Sequence, residues 1–174
     1  MAETFGRRDL IRLAAGAAMA AKAPAAGKPK FFTPEEFRLV DELTETIIPA
    51  DWKSGGAKAA GVAEYIDGRL AEAFEHSTRD TWRNGLAGVN ALASRMHGKP
   101  FLECGVDARM AVLTRMAANE ENPMAAEEVF FRKLKSMTVF GYYTSSIGIH
   151  DDIGYLGNTL QQGDYAGELP GRPE

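Results

Sequence analysis

The sequence predicts an all-α fold, a small bundle of about five helices. Three observations lead there. Apolar residues recur at three- and four-residue spacing in five separate runs. Those runs are separated by capping residues, prolines and glycines. No stretch alternates at period two over the length of a strand, so no sheet is expected.

The first helix opens at Phe31-Phe32-Thr33-Pro34-Glu35-Glu36. Thr33 fits the N-cap, Pro34 the first helical position and Glu36 the reciprocal capping-box position, while Phe32 and Phe37 are placed to staple the end. Phe37, Val40, Leu43 and Ile47 carry the apolar face, and Pro49 ends the helix by disfavouring α geometry in the residue before it. Residues 50–61 read as a loop containing Trp52. Val62, Ile66, Leu70 and Phe74 mark a second helix with Tyr65 on its flank. A cap at His76-Ser77-Thr78 starts a third, lined by Trp82, Leu86, Val89, Leu92, Ala93 and Met96, which closes at His97-Gly98-Lys99-Pro100. Asp107 caps a fourth helix carrying Met110, Leu113 and Met116. Asn122-Pro123 opens a fifth, which carries Val129, Phe130, Leu134, Met137 and Phe140 to about Tyr143. From Gly148 onward glycines are frequent and helical period is lost; this tail is either loose or laid against a partner.

The helical region is preceded by a different kind of segment. Gly6-Arg7-Arg8-Asp9-Leu10-Ile11-Arg12 leads into the Ala- and Gly-rich stretch Leu13 to Ala21. A charged region, a short apolar run and then small residues is the layout of an export signal, and the Arg7-Arg8 pair points to the twin-arginine route, which carries folded cargo. The apolar run is far short of the roughly 20 residues that span a bilayer. The expected organisation is therefore a signal peptide over residues 1–27, a helical domain over 28–147 and an extended, partner-bound tail over 148–174.

Composition excludes several functions. The chain carries a net charge of −4, and the signal segment is itself basic, so the body is more acidic still. An acidic body argues against nucleic-acid binding, which needs clustered positive charge. Cys104 is the only cysteine, which rules out an internal disulfide; it reads either as a small buried hydrophobe or as a thiol that pairs between chains. The three histidines (His76, His97, His150) show no zinc spacing, and His76 and His97 are expected at helix ends. His150-Asp151-Asp152 is the one cluster that could support a stand-alone enzyme or ligand binder, although adjacent residues point different ways. Glu127 and Glu128 suit a helix N-terminus better than acid–base work. No glycine pattern follows a strand, so no dinucleotide or phosphate loop is expected. This inventory favours a non-catalytic subunit. Val139 to Gly148 mixes aromatics, hydroxyls and glycine in the manner of an interface; Phe140, Tyr142 and Tyr143 either serve one or close the core of the bundle.

Two segments carry a resemblance: Ile47-Ile48-Pro49-Ala50-Asp51, continuing to Gly61-Val62 and Tyr65-Ile66-Asp67, and Leu134-Lys135-Ser136-Met137-Thr138-Val139-Phe140-Gly141-Tyr142-Tyr143-Thr144-Ser145. Together with the leader, they resemble the gluconate 2-dehydrogenase subunit 3 family over nearly the whole chain. The sequence departs from the family's usual pattern at Trp52-Lys53-Ser54-Gly55-Gly56, where a proline–glycine pair is often seen. The resemblance implies a small subunit with no catalytic, cofactor-binding or metal-binding residues of its own. Its partner would be a catalytic flavoprotein of the glucose-methanol-choline (GMC) type, which holds FAD, oxidises a sugar or glycoside and passes electrons to a cytochrome c subunit or another acceptor. The small subunit would carry that partner through the twin-arginine machinery into the periplasm, where the complex sits at the inner membrane's periplasmic face. The expected interface residues are Trp52, Cys104, Phe140, Tyr142, Tyr143, Ser145 and Tyr155.

Overall fold

The computed structural model describes residues 28–155 and 157. The expected export segment, including Arg7 and Arg8, and most of the glycine-rich tail lie outside the described residues. Within them the chain forms five α-helices: α1 (Pro34–Ile47), α2 (Val62–Ala71), α3 (His76–His97), α4 (Val106–Met116) and α5 (Ala126–Tyr143). A 3-10 turn (Phe101–Glu103) and a π-helical turn (Ile147–Asp152) complete the fold, and no strand occurs among the described residues. The helical bundle is the one the spacing predicts.

α1 begins as read. The Glu36 N–H donates to Thr33 Oγ1 at 3.2 Å and the Thr33 N–H donates to Glu36 Oε2 at 2.8 Å, with Pro34 in the first turn. Phe32 and Phe37 are both buried at this end. The helix stops ahead of Pro49, with Ile48 already at φ −127° and ψ 85°. The incoming chain is pinned by Asp67, a buried carboxylate on α2 that accepts the N–H groups of Lys30, Phe31 and Phe32 at 2.6, 3.0 and 2.9 Å. A charge-assisted acceptor is what lets Phe32 be buried without leaving its amide unpaired.

Four details differ from the sequence reading. Phe74 does not join the face of α2: that helix ends at Ala71, and Phe74 is fully exposed. The Arg79 guanidinium from α3 donates to the carbonyls of Leu70 and Ala71 at 3.3 and 2.9 Å, so a long-range cap ends α2. α3 starts at His76 behind Glu75, with no side chain capping it. α4 starts at Val106 behind Gly105, which puts Asp107 in the first turn rather than at the cap and turns Met110 outward while Val112 is buried. α5 starts at Ala126, and Glu128 reaches back to accept the N–H groups of Met124 and Ala125 at 3.0 and 3.1 Å. The expected end of α3 is present: Gly98 adopts φ +74° and its N–H donates to Ser94 O at 2.9 Å.

α5 is the central helix, packing against the other four. Its buried face is Phe130, Phe131, Leu134, Thr138, Gly141 and Tyr142. Phe130 meets Trp82 of α3 edge to face, with ring centroids 5.4 Å apart. The contact leaves room for no side chain at Gly85, where a Cβ would come within 2.1 Å of the Phe130 ring. At the other end of α5, a Cβ on Gly141 would lie 2.8 Å from the Tyr65 ring, so glycine allows α2 and α5 to close up.

Candidate partner-binding surface

Apart from Cys104, the residues expected at an interface are organised by one end of the bundle, where the 49–61 loop, the end of α5 and the π-helical turn meet. The loop is built by its own carboxylates. Asp51 Oδ1 accepts the N–H groups of Lys53 and Ser54, each at 2.8 Å, and the Asp51 N–H donates to Ser54 O at 3.1 Å. This side-chain-mimicked turn holds Trp52 outward, 92% exposed. Glu45 on α1 accepts the N–H groups of Ala50 at 3.1 Å and Lys58 at 2.8 Å, joining both limbs of the loop. Gly56 is the residue that admits this carboxylate, since a Cβ there would lie 2.4 Å from Glu45 Oε1.

Tyr142 fastens the loop to the bundle. Its ring is buried, and its hydroxyl donates to Gly55 O at 2.9 Å while lying 2.9 Å from Ser54 Oγ. Ser145 Oγ donates to Tyr142 O at 2.6 Å and accepts the Gly148 N–H at 3.1 Å, which turns the chain back into the π-helical turn. A Cβ at Gly148 would fall 2.2 Å from Tyr142 O, so only glycine permits that return. Lys53 closes the ring, donating to the Asp152 carbonyl and lying 3.6 Å from its carboxylate. Asp152 also bonds Tyr143 and, with partial burial, raises that phenol above its usual range.

Beneath the loop lies a charge network the sequence reading did not single out. Lys58 Nζ bonds Glu42 at 2.5 Å, and Arg109 of α4 bonds the same carboxylate at 2.6 Å while also donating to Leu102 O at 2.8 Å. Burial pushes Glu42 upward, but the two cations outweigh it and hold its carboxyl below the usual value. Asp41 goes the other way: burial, with help from Glu64, Glu42 and Glu45 and against Lys58, pushes it up to about 6. The acids at 41, 42 and 45 on one helix were the available signal; their meeting with Arg109 depends on tertiary packing.

The expected interface residues thus fall into two groups. Trp52, Phe140, Tyr143 and Tyr155 are exposed, at 92, 59, 41 and 49%. Tyr142 and Cys104 are buried in the chain's own core, and the Ser145 hydroxyl is taken up internally. Cys104 sits on the segment between α3 and α4, its Sγ against the carbonyls of Lys99 and Pro100 at 3.8 and 3.5 Å. Ile153, 61% exposed, belongs with the exposed group, although its isolated position in a glycine-rich stretch gave no periodic signal.

The alternative cluster does not converge. His150 Nδ1 lies 3.0 Å from Tyr155 O, Asp152 engages Lys53 and Tyr143, and Asp151 is exposed. His97 ends α3, the end of a helix that a basic side chain suits, but His76 begins the same helix, the opposite end from the favourable one. Among the described residues, no group of three or more His, Cys, Asp or Glu side chains could hold a metal ion, and no helix is long and apolar enough to cross a membrane. What this end of the molecule offers is Trp52 exposed on a braced loop and Phe140 and Tyr143 exposed at the end of α5, aromatic side chains of the kind enriched at protein interfaces.

A family model described as gluconate 2-dehydrogenase subunit 3 matches residues 34–160, the span from α1 through the π-helical turn. No curated protein and no solved structure matches the chain.

Proposed function

The chain belongs to the gluconate 2-dehydrogenase subunit 3 family, and from that premise we propose that it is the non-catalytic small subunit of a periplasmic, FAD-dependent dehydrogenase of sugars or glycosides, serving as export escort and stabilising partner of the catalytic flavoprotein. The family makes the chain a subunit of a dehydrogenase complex. The observation that carries the rest is the pairing of two features on one polypeptide: a twin-arginine leader at Arg7-Arg8 and a braced, outward-facing aromatic surface at Trp52, Phe140 and Tyr143.

Physical reasoning connects the two. A signal on one chain exports a second only if the pair is bound before transport and stays bound. That requires an obligate interface, on the order of 2,000 Å² or more. Exposed aromatics held by a rigid scaffold supply contact area at small entropic cost, because the Asp51 turn and the Tyr142 and Lys53 clamps have already ordered the loop. FAD and the sugar chemistry belong to the partner in this reading, with a cytochrome c or another acceptor taking the electrons.

The test is co-expression of the flavoprotein with and without this chain, and with Arg7-Arg8 replaced by Lys-Lys. The expected outcome is active dehydrogenase in the periplasm only with the intact leader, and both chains retained in the cytoplasm with the Lys-Lys variant. Active, exported flavoprotein in the absence of this chain overturns the escort role.

A further inference from the structure

α5 has a second face that its packing role leaves unused. Arg132, Ser136, Val139, Phe140 and Tyr143 follow one another at i, i+4, i+7, i+8 and i+11, which places them in one stripe along the helix, and all five are exposed. The stripe is about 16 Å long at 1.5 Å per residue. Its C-terminal half is apolar and runs into the surface described above through Tyr143 and through Phe140, whose ring lies 6.0 Å from that of Tyr65. Its N-terminal half is cationic, with Lys133 beside Arg132.

The charges along α5 are not equivalent. Glu127 and Glu128 face Arg95 and Arg115 at 3.9 and 3.6 Å, and Lys135 is neutralised by Glu120 at 2.6 Å. Arg132 and Lys133 have no carboxylate within ion-pair distance among the described residues, in a chain whose net charge is −4. Between the two halves, an open depression of about 390 Å³ is lined by Glu120, Arg132, Lys135, Ser136, Val139 and Phe140. It has an apolar wall from Val139 and Phe140 and one uncompensated cation, Arg132, at its margin.

We propose that this stripe docks a segment of the catalytic subunit that is apolar where it meets Val139, Phe140 and Tyr143 and carries carboxylates opposite Arg132 and Lys133. The inference rests on the subunit reading above and gives that interface a direction: the partner's acidic end lies toward the start of α5 and its apolar end toward the 49–61 loop. An aromatic patch alone would hold the partner without specifying its orientation. Two unpaired cations at one end make the reversed alignment costly and speed encounter with an acidic surface.

The experiment uses the full chain co-expressed with its flavoprotein and two double variants, Arg132→Glu with Lys133→Glu, and Val139→Ser with Phe140→Ser. All four residues are exposed, so thermal unfolding of the charge reversal should match the wild type; the serine pair, which gives up the Phe140–Tyr65 contact, should unfold somewhat earlier but still as one cooperative transition above the assay temperature. Affinity is read by exchange of labelled small subunit into the complex between about 50 and about 500 mM salt, a range over which exposed charge pairs become screened. The expected result is that the charge reversal weakens the complex about tenfold at low salt and abolishes most of the wild-type salt dependence. The serine pair should weaken it at every salt concentration. Unchanged affinity and salt dependence in the charge-reversal variant, with loss of binding in the serine variant, overturns the acidic partner while leaving the subunit reading intact. A wild-type chain that recovers no flavoprotein overturns both. A wild-type chain that self-associates, with the charge reversal dissolving the dimer, assigns the stripe to a second copy and overturns the proposal.

Discussion

Asp41 shows how one carboxylate can oppose the fold that contains it. Burial is the main force that raises its pKa, and Glu64 of α2 and its own neighbours Glu42 and Glu45 add to it, while Lys58, 3.9 Å away, offsets part of the effect. Its folded-state pKa of about 6 lies above the ordinary value of 3.8, so the folded protein binds that proton more tightly than the unfolded chain. The favourable contribution is therefore fully present below about pH 4 and is lost as pH rises through 6. Asp41→Asn should stabilise the protein by about 1 kcal/mol at pH 7, a figure reduced from the full linkage value because the side chain is part-exposed and screened. The gain should vanish near pH 4; urea unfolding of both proteins at the two pH values measures it. Equal gains at both would remove the electrostatic explanation. Glu42, one position along, has the opposite character because Lys58 and Arg109 both reach it. Neighbours in sequence differ here because only one of them points at two cations.

At the scale of elements, the spacing of α3 and α5 is set where Gly85 meets Phe130. Trp82, three residues earlier on the same helix, packs edge to face on that ring, so the ring is already engaged by α3 where a methyl would be added. Gly85→Ala should destabilise by about 1–3 kcal/mol through overpacking. Gly88 lies one turn further along α3 with nothing within 4 Å of its would-be Cβ, and Gly88→Ala should stabilise by up to about 1 kcal/mol through helix propensity alone. Opposite signs in urea unfolding of two Gly→Ala changes on the same helix would establish that packing, not backbone freedom, governs the first. Helix starts were the least legible elements. α1 was legible because its cap is a local, reciprocal pair of hydrogen bonds between Thr33 and Glu36. α3 and α4 begin at residues with no capping side chain, and α2 ends under a guanidinium from another helix, so no local pattern marks those boundaries.

For the whole molecule, the two tryptophans divide the two roles of the chain. Trp82 is buried in the core; Trp52 stands on the braced loop, almost fully exposed. With 5-fluorotryptophan incorporated into this subunit only, the fluorine resonance of Trp52 should show a solvent-isotope shift in the free chain that disappears when the flavoprotein binds. That of Trp82 should be insensitive in both states. Persistence of the Trp52 isotope shift in the complex would place the loop outside the interface and confine contact to α5 and the π-helical turn.

The sequence by itself determined the helical class, the end of α1 at Pro49, the close of α3 at Gly98 and the family, because each rests on patterns of residues adjacent in the chain or one turn apart. It also marked the aromatic end of α5 as interface-like but left its residues divided between core and surface. Only the tertiary structure made that division. Tyr142 turns inward because its hydroxyl finds Ser54 and Gly55, 88 and 87 residues away, whereas Phe140 and Tyr143 fall on the outer side of the same helix. Arg109 joining Glu42, and Lys53 joining Asp152, span 67 and 99 residues. Which side of a helix is covered depends on what packs against it, and that is a property of contacts distant in sequence rather than of the helix's own pattern.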